Sequence, residues 1–142
     1  MKSKIFLALV AILTINLPAQ AVDTKTTKTS TPKVTILEPK DGATVATTFA
    51  VKFGASGVDI VPAGTVQEHS GHYHLLIDNE TLPDINTPIP TSPTMIHFGK
   101  GQTETELTLS PGKHTLELVL GNSAHISGPH PVMSKKITIT VK

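Results

Sequence analysis

The chain contains neither cysteine nor arginine in its 142 residues. Without cysteine it has no disulfides, on which small exported domains often depend, and no residue for a lipid anchor. Without arginine it lacks the bidentate side chains that read bases or grip phosphate. Of its 12 lysines, ten lie beyond residue 21 and face 11 acids, so that part of the chain is close to neutral. No basic patch stands out, and a nucleic-acid partner is set aside. Helical patterning is also missing: beyond residue 21 no stretch of helical length carries a 3.6-residue period.

The first 21 residues fix an expected compartment. Lys2 and Lys4 precede an almost wholly apolar run, Ile5 to Leu17, and Pro18 then breaks it ahead of Ala19-Gln20-Ala21. That is the form of a secretory signal peptide with an A-x-A cleavage site, and the run is too short for a convincing membrane span. Cleavage after Ala21 would leave Val22 first, with the periplasm as destination and secretion as the alternative. Residues 22–33, VDTKTTKTSTPK, are Thr/Lys-rich and nearly devoid of apolar side chains, so they read as a flexible tether. One folded domain is expected over residues 34–142, long enough for one hydrophobic core.

Within it the dominant pattern is alternation with period two. Val34 and Ile36 open it, and Phe49, Val51 and Phe53 follow after a turn at Pro39 to Gly42. Tyr73, Leu75 and Ile77 alternate with His72, His74 and Leu76; Ile96 and Phe98 alternate with Met95 and His97. Leu107 and Leu109, then Leu116, Leu118 and Leu120, and finally Ile137, Ile139 and Val141 complete the set. About seven short strands separated by Pro and Gly predict an all-β, immunoglobulin-like two-sheet sandwich.

What the chain does have is histidine, seven in all and unevenly placed. His69, His72 and His74 crowd into six residues, and His125 and His130 share a Gly/Pro-rich loop. Imidazole is the commonest protein metal ligand. On the strand reading His72 and His74 share the face opposite Tyr73, Leu75 and Ile77, roughly 7 Å apart at their bases. His97 lies outward on its own strand beside Met95. His69 can fold back from the preceding loop, and the loop carrying His125 and His130 can close over a site built on strands. The predicted metal-ligating set is therefore His72, His74, His97, His125, His69, His130 and Met95, for zinc or for copper, where imidazole mixed with the thioether of Met95 or Met133 suits the reduced ion. The plain alternative is polar decoration of an exposed strand face, with the methionines as packing residues. His114, just after the turn Ser110-Pro111-Gly112, reads as a structural corner residue, in the place where sandwiches put a tyrosine. Gly99-Lys100-Gly101-Gln102 reads as a hairpin turn, since no helix follows it to hold a phosphate.

Three segments, SGHYHLLID (70–78), HFGKGQTETELTLSPGKHTLELVLG (97–121) and PVMSKKITITV (131–141), resemble the bacterial domain-of-unknown-function family 4399. The resemblance covers roughly residues 45–142, and the middle segment is its most specific part. It implies an exported domain with a histidine-rich strand, and it marks His72, His74, His97, His114 and His125. Tyr73 departs from the pattern, standing where the family often has a third consecutive histidine. The resemblance implies no activity.

Three function classes follow. The first is an exported periplasmic metal-binding protein for copper or zinc, acting as chaperone or buffer. The second is a non-metal immunoglobulin-like module that grips a cell-envelope protein or glycan, with the proline-rich loop Asn79 to Pro93 as its recognition surface. An enzyme ranks last. Gly71-His72-Tyr73-His74 is superficially similar to the His-x-His strand of copper/zinc superoxide dismutase, but the cysteine pair and guiding arginine of that enzyme are missing. A copper site on an N-terminal histidine conflicts with Val22 as first residue, and no Ser-His-Asp arrangement is defensible from the sequence.

Overall fold

The computed structural model describes residues 30–79, 82 and 84–142. The expected signal peptide and residues 22–29 of the expected tether lie outside the described residues. Among the described residues nine strands form: β1 (Lys33–Glu38), β2 (Thr44–Val45), β3 (Thr48–Ser56), β4 (Asp59–Ile60), β5 (Ser70–Ile77), β6 (Met95–His97), β7 (Glu104–Thr108), β8 (Gly112–Gly121) and β9 (Ile137–Val141). Seven have three or more residues, and β1 begins at Lys33, one residue before the expected boundary. Among the described residues no helix is long and apolar enough to cross a membrane.

The strands make two sheets. β1, β3 and β7 pair in that order; β2, β9, β8 and β5 form the larger sheet, with β4 and β6 on the far side of β5. This is the immunoglobulin-like arrangement, in which the first, second and fifth main strands face the third, sixth and seventh. The expected alternation is met at every core strand. Val34, Ile36, Val51, Phe53 and Leu107 of one sheet pack against Tyr73, Leu75, Ile77, Leu116, Leu118, Leu120, Ile137, Ile139 and Val141 of the other. Phe98 joins them, with Phe53 5.0 Å from Phe98 and 5.2 Å from Tyr73 between ring centroids. Each fully buried Leu or Ile contributes about 1.5–3 kcal/mol, so this layer holds the fold together.

The outer face of the larger sheet is covered as well. Two long connections, β5–β6 and β8–β9, fold across it and are tied to each other: Ile89 N–H donates to the His125 carbonyl (2.8 Å) and Gly128 N–H to that of Ile85 (3.1 Å). Between them and the sheet, Ile89 of the first connection joins Leu76 and Val119 in a second apolar cluster with Leu82, Met95 and Met133 around it. From the expected recognition loop, Asn79 to Pro93, Leu82 and Ile89 are thus committed to packing on the sheet. The Phe98–Gly101 turn closes by a 3.2 Å bond from Gly101 N–H to the Phe98 carbonyl. It crosses from one sheet to the other rather than joining two paired strands, so it is a turn but not a hairpin.

Candidate metal centre

Three backbone pairings bring the histidines together. His74 stands opposite Val119 on β8 and opposite His97 on β6, while His72 stands opposite Gly121. Directly paired residues share a face, so His72, His74 and His97 point to the same side. The loop that follows β8 then folds His125 over them. Ring centroids of the four lie 4.7–5.9 Å apart, with His97–His125 shortest and His74–His125 longest. The ligand atoms of His72, His74 and His97 all fall within 4.8 Å of one another. Four nitrogens around a tetrahedral zinc at 2.0–2.1 Å are about 3.3 Å apart, the spacing the rings would have to take up around a bound ion.

The expectation that His72 and His74 lie on an exposed face is corrected: they are 1% and 0% exposed. The reason is the pair of covering loops. A signal was present in the sequence, because Leu76 and Val119 occupy the same face and would be apolar on an exposed one. Burial has an electrostatic consequence. Loss of hydration, followed by the neighbouring imidazoles of His125 and His97, lowers the His72 pKa to about 4. Burial and the rings of His72, His97 and His125 lower that of His74 to about 3, against a weak opposing contact with the His72 carbonyl that falls short of hydrogen-bond geometry. Burial, then His125, lowers His97 too. His72, His74 and His97 are therefore neutral at pH 7, the state that binds metals. Both nitrogens of His72, both of His74 and Nε2 of His97 are buried and have no hydrogen-bond partner in the protein. Such groups cost about 1–3 kcal/mol each when unpaired, and coordination of an ion is the interaction that would satisfy several at once.

Glycines make the room. A Cβ on Gly99 would sit 2.4 Å from Cε1 of His97, and one on Gly121 would sit 2.7 Å from Cε1 of His74 and 3.2 Å from Cα of His125. Neither was singled out from sequence as a support for the site; Gly99 read only as part of a turn. Asn122 was missed as well. Its side-chain oxygen accepts from Ala124 and Ile126 N–H (2.9 and 3.0 Å), and its carbonyl accepts from His125 N–H (2.9 Å). This knot holds His125 at φ 65°, a left-handed conformation uncommon outside glycine.

The other predicted ligands are elsewhere. His69 sits before β5 at φ 53°, beside a shallow cleft shared with Ser70, Asn122 and Ser127, outside the cluster. It does not fold back because its carbonyl is held by Asp59 N–H at 2.9 Å. His130 is exposed at the far end of its loop, where the chain already turns toward Met133 and its bridge to Val119. Met95 shares the histidine face but packs into the apolar cluster with Leu76, Ile89 and Val119. His114 is the corner residue expected: its Nδ1 is 2.7 Å from Asp78 Oδ2 and its Nε2 2.9 Å from the Ser110 carbonyl. Both partners only accept, so both bonds are made by the imidazolium, and the Asp78 bond followed by that to Ser110 raises its pKa.

Likeness to solved structures is distant. The endo-β-1,4-mannanase from Thermotoga petrophila aligns over 80% of this chain at 14% identity with a TM-score of 0.46, and the chain spans about a fifth (20%) of that protein. Fibronectin(III)-like modules of Clostridium thermocellum CbhA align over 77% of this chain and 95% of theirs, at 14% identity and a TM-score of 0.42. No curated protein matches the chain. A family model does, over residues 51–142, which span β5, β6 and β8 and all four clustered histidines. By that match the chain belongs to the domain-of-unknown-function family DUF4399.

Proposed function

We propose that this domain binds one transition-metal ion, copper or zinc, through His72, His74 and His97, with His125 closing the site from its loop. The observation that supports this most directly is the set of buried ring nitrogens with no partner in the protein, on three histidines that each bring one ligand atom within 4.8 Å of the others. A histidine kept for packing would have at least one nitrogen hydrogen-bonded, as His114 does at both. Three strand-borne ligands and one loop-borne ligand suit an ion that must enter and leave, so the role is that of an exported metal buffer or chaperone in the periplasm rather than an enzyme. Competition titration against chelators of known affinity tests it. One ion per chain at better than about 1 μM, worth roughly 8 kcal/mol, is the expected outcome. Weak binding of several ions per chain, unaffected by His72→Ala with His74→Ala, would remove the proposal.

A further inference from the structure

We infer that the site prefers a monovalent ion, copper(I), over divalent zinc, an inference that rests on the metal-binding reading above. Its basis is charge balance. Among the described residues the metal-competent group is made of imidazoles alone, with no carboxylate, and every donor is neutral when it coordinates. A divalent ion there would leave two uncompensated positive charges among groups that are 0–1% exposed at His72 and His74, and burying net charge is strongly unfavourable. A monovalent ion leaves one.

Among the described residues the nearby acids are already committed or remote. Glu117 is on the same sheet face, opposite Leu76, but it faces Lys136 Nζ at 3.5 Å. Asp78 is held by His114 and by Thr115 N–H. Asp84, in the covering loop, caps Asn86 N–H and is exposed. The surroundings are also apolar. Met95 lies two residues before His97 on the same strand, and Met133 bridges Val119, which is opposite His74. Both pack against the apolar cluster of Leu76, Ile89 and Val119, so this side of the site offers no counter-charge to a divalent ion.

The test is anaerobic titration of the protein at pH 7 with chelator-buffered copper(I) and, separately, zinc. It is repeated on His125→Asp, which places an anionic donor where aspartate tolerates the left-handed backbone. Copper(I) is expected to bind at least 100-fold more tightly than zinc, and His125→Asp is expected to narrow that ratio tenfold or more. Should the variant not fold, the reduction potential of copper in the wild-type site stands in for it, expected above that of the aqueous couple. Zinc binding as tightly as copper(I), an unchanged ratio in a folded variant, or a potential below the aqueous couple would overturn the inference and leave the metal site standing. Failure of both ions to bind would end both.

Discussion

Replacing His74 by leucine separates a metal ligand from a core residue, because the two roles give opposite signs. The ring is fully buried and neither nitrogen is hydrogen-bonded. Removing unpaired polar groups at about 1–3 kcal/mol each outweighs the misfit of an apolar side chain of similar size, usually below about 1.5 kcal/mol. The metal-free variant should therefore be more stable than wild type at pH 7.5 by about 1–2 kcal/mol, roughly 4–10 °C in Tm for a domain of this size. The gap should widen in acid. The folded-state pKa of His74 is depressed to about 3, so below the unfolded value of 6.5 only the unfolded chain takes up the proton. Stability is then full above pH 6.5 and falls as the pH drops toward 3, by about 1.4 kcal/mol per unit. Two units of acidification should cost wild type about 3 kcal/mol through this ring, a loss that His74→Leu does not suffer. Urea unfolding at pH 7.5 and 4.5, each with chelator and with metal, reads all of this. Metal at 100 times Kd should add about 2.7 kcal/mol to wild type and almost nothing to the variant. A variant less stable than wild type by over 2 kcal/mol at both pH values would show that His74 is a packed structural residue.

Other consequences are independent of that one. Gly121→Ala should weaken metal binding at least tenfold while the core strands still form, because the new methyl displaces the His74 ring; competition titration with circular dichroism checks both halves. Asn122→Ala should lower affinity roughly 10–100-fold, the usual range for a residue that orients a ligand, with the triad still binding. His114→Ala should leave affinity unchanged and lose stability. Its folded pKa is raised, so the loss should be largest below pH 6.5 and fade as the pH rises through the folded value, as thermal melts at pH 6 and 9 would show. His69→Ala, His130→Ala and Met95→Leu should bind metal as wild type does.

The fold was legible because period-two alternation carries the core directly: Val51 and Phe53, Leu116 and Leu118, and Ile137 and Ile139 all point where the pattern places them. The site was legible in part. Strand register made His72 and His74 neighbours on one face, but pairing with His97 depends on which strands meet, a long-range property that local pattern does not encode. Burial of the face was misread, since it comes from two loops whose mutual hydrogen bonds have no periodicity. His69 and His74 are equally conspicuous in the sequence, and only the Asp59 bond that pins the His69 carbonyl shows why one is in the cluster and the other is not. The glycine and asparagine supports were invisible for a similar reason: Gly99, Gly121 and Asn122 acquire their roles from rings and amides that the fold brings to them.

X-ray absorption at the metal edge, on protein carrying one equivalent of bound ion, reads the ligand shell itself. A shell of three or four imidazole nitrogens is expected, at about 2.0–2.1 Å for zinc, losing ligands in His74→Leu. A shell dominated by water or carboxylate oxygen and indifferent to His74 would place the ion elsewhere and contradict the proposed site.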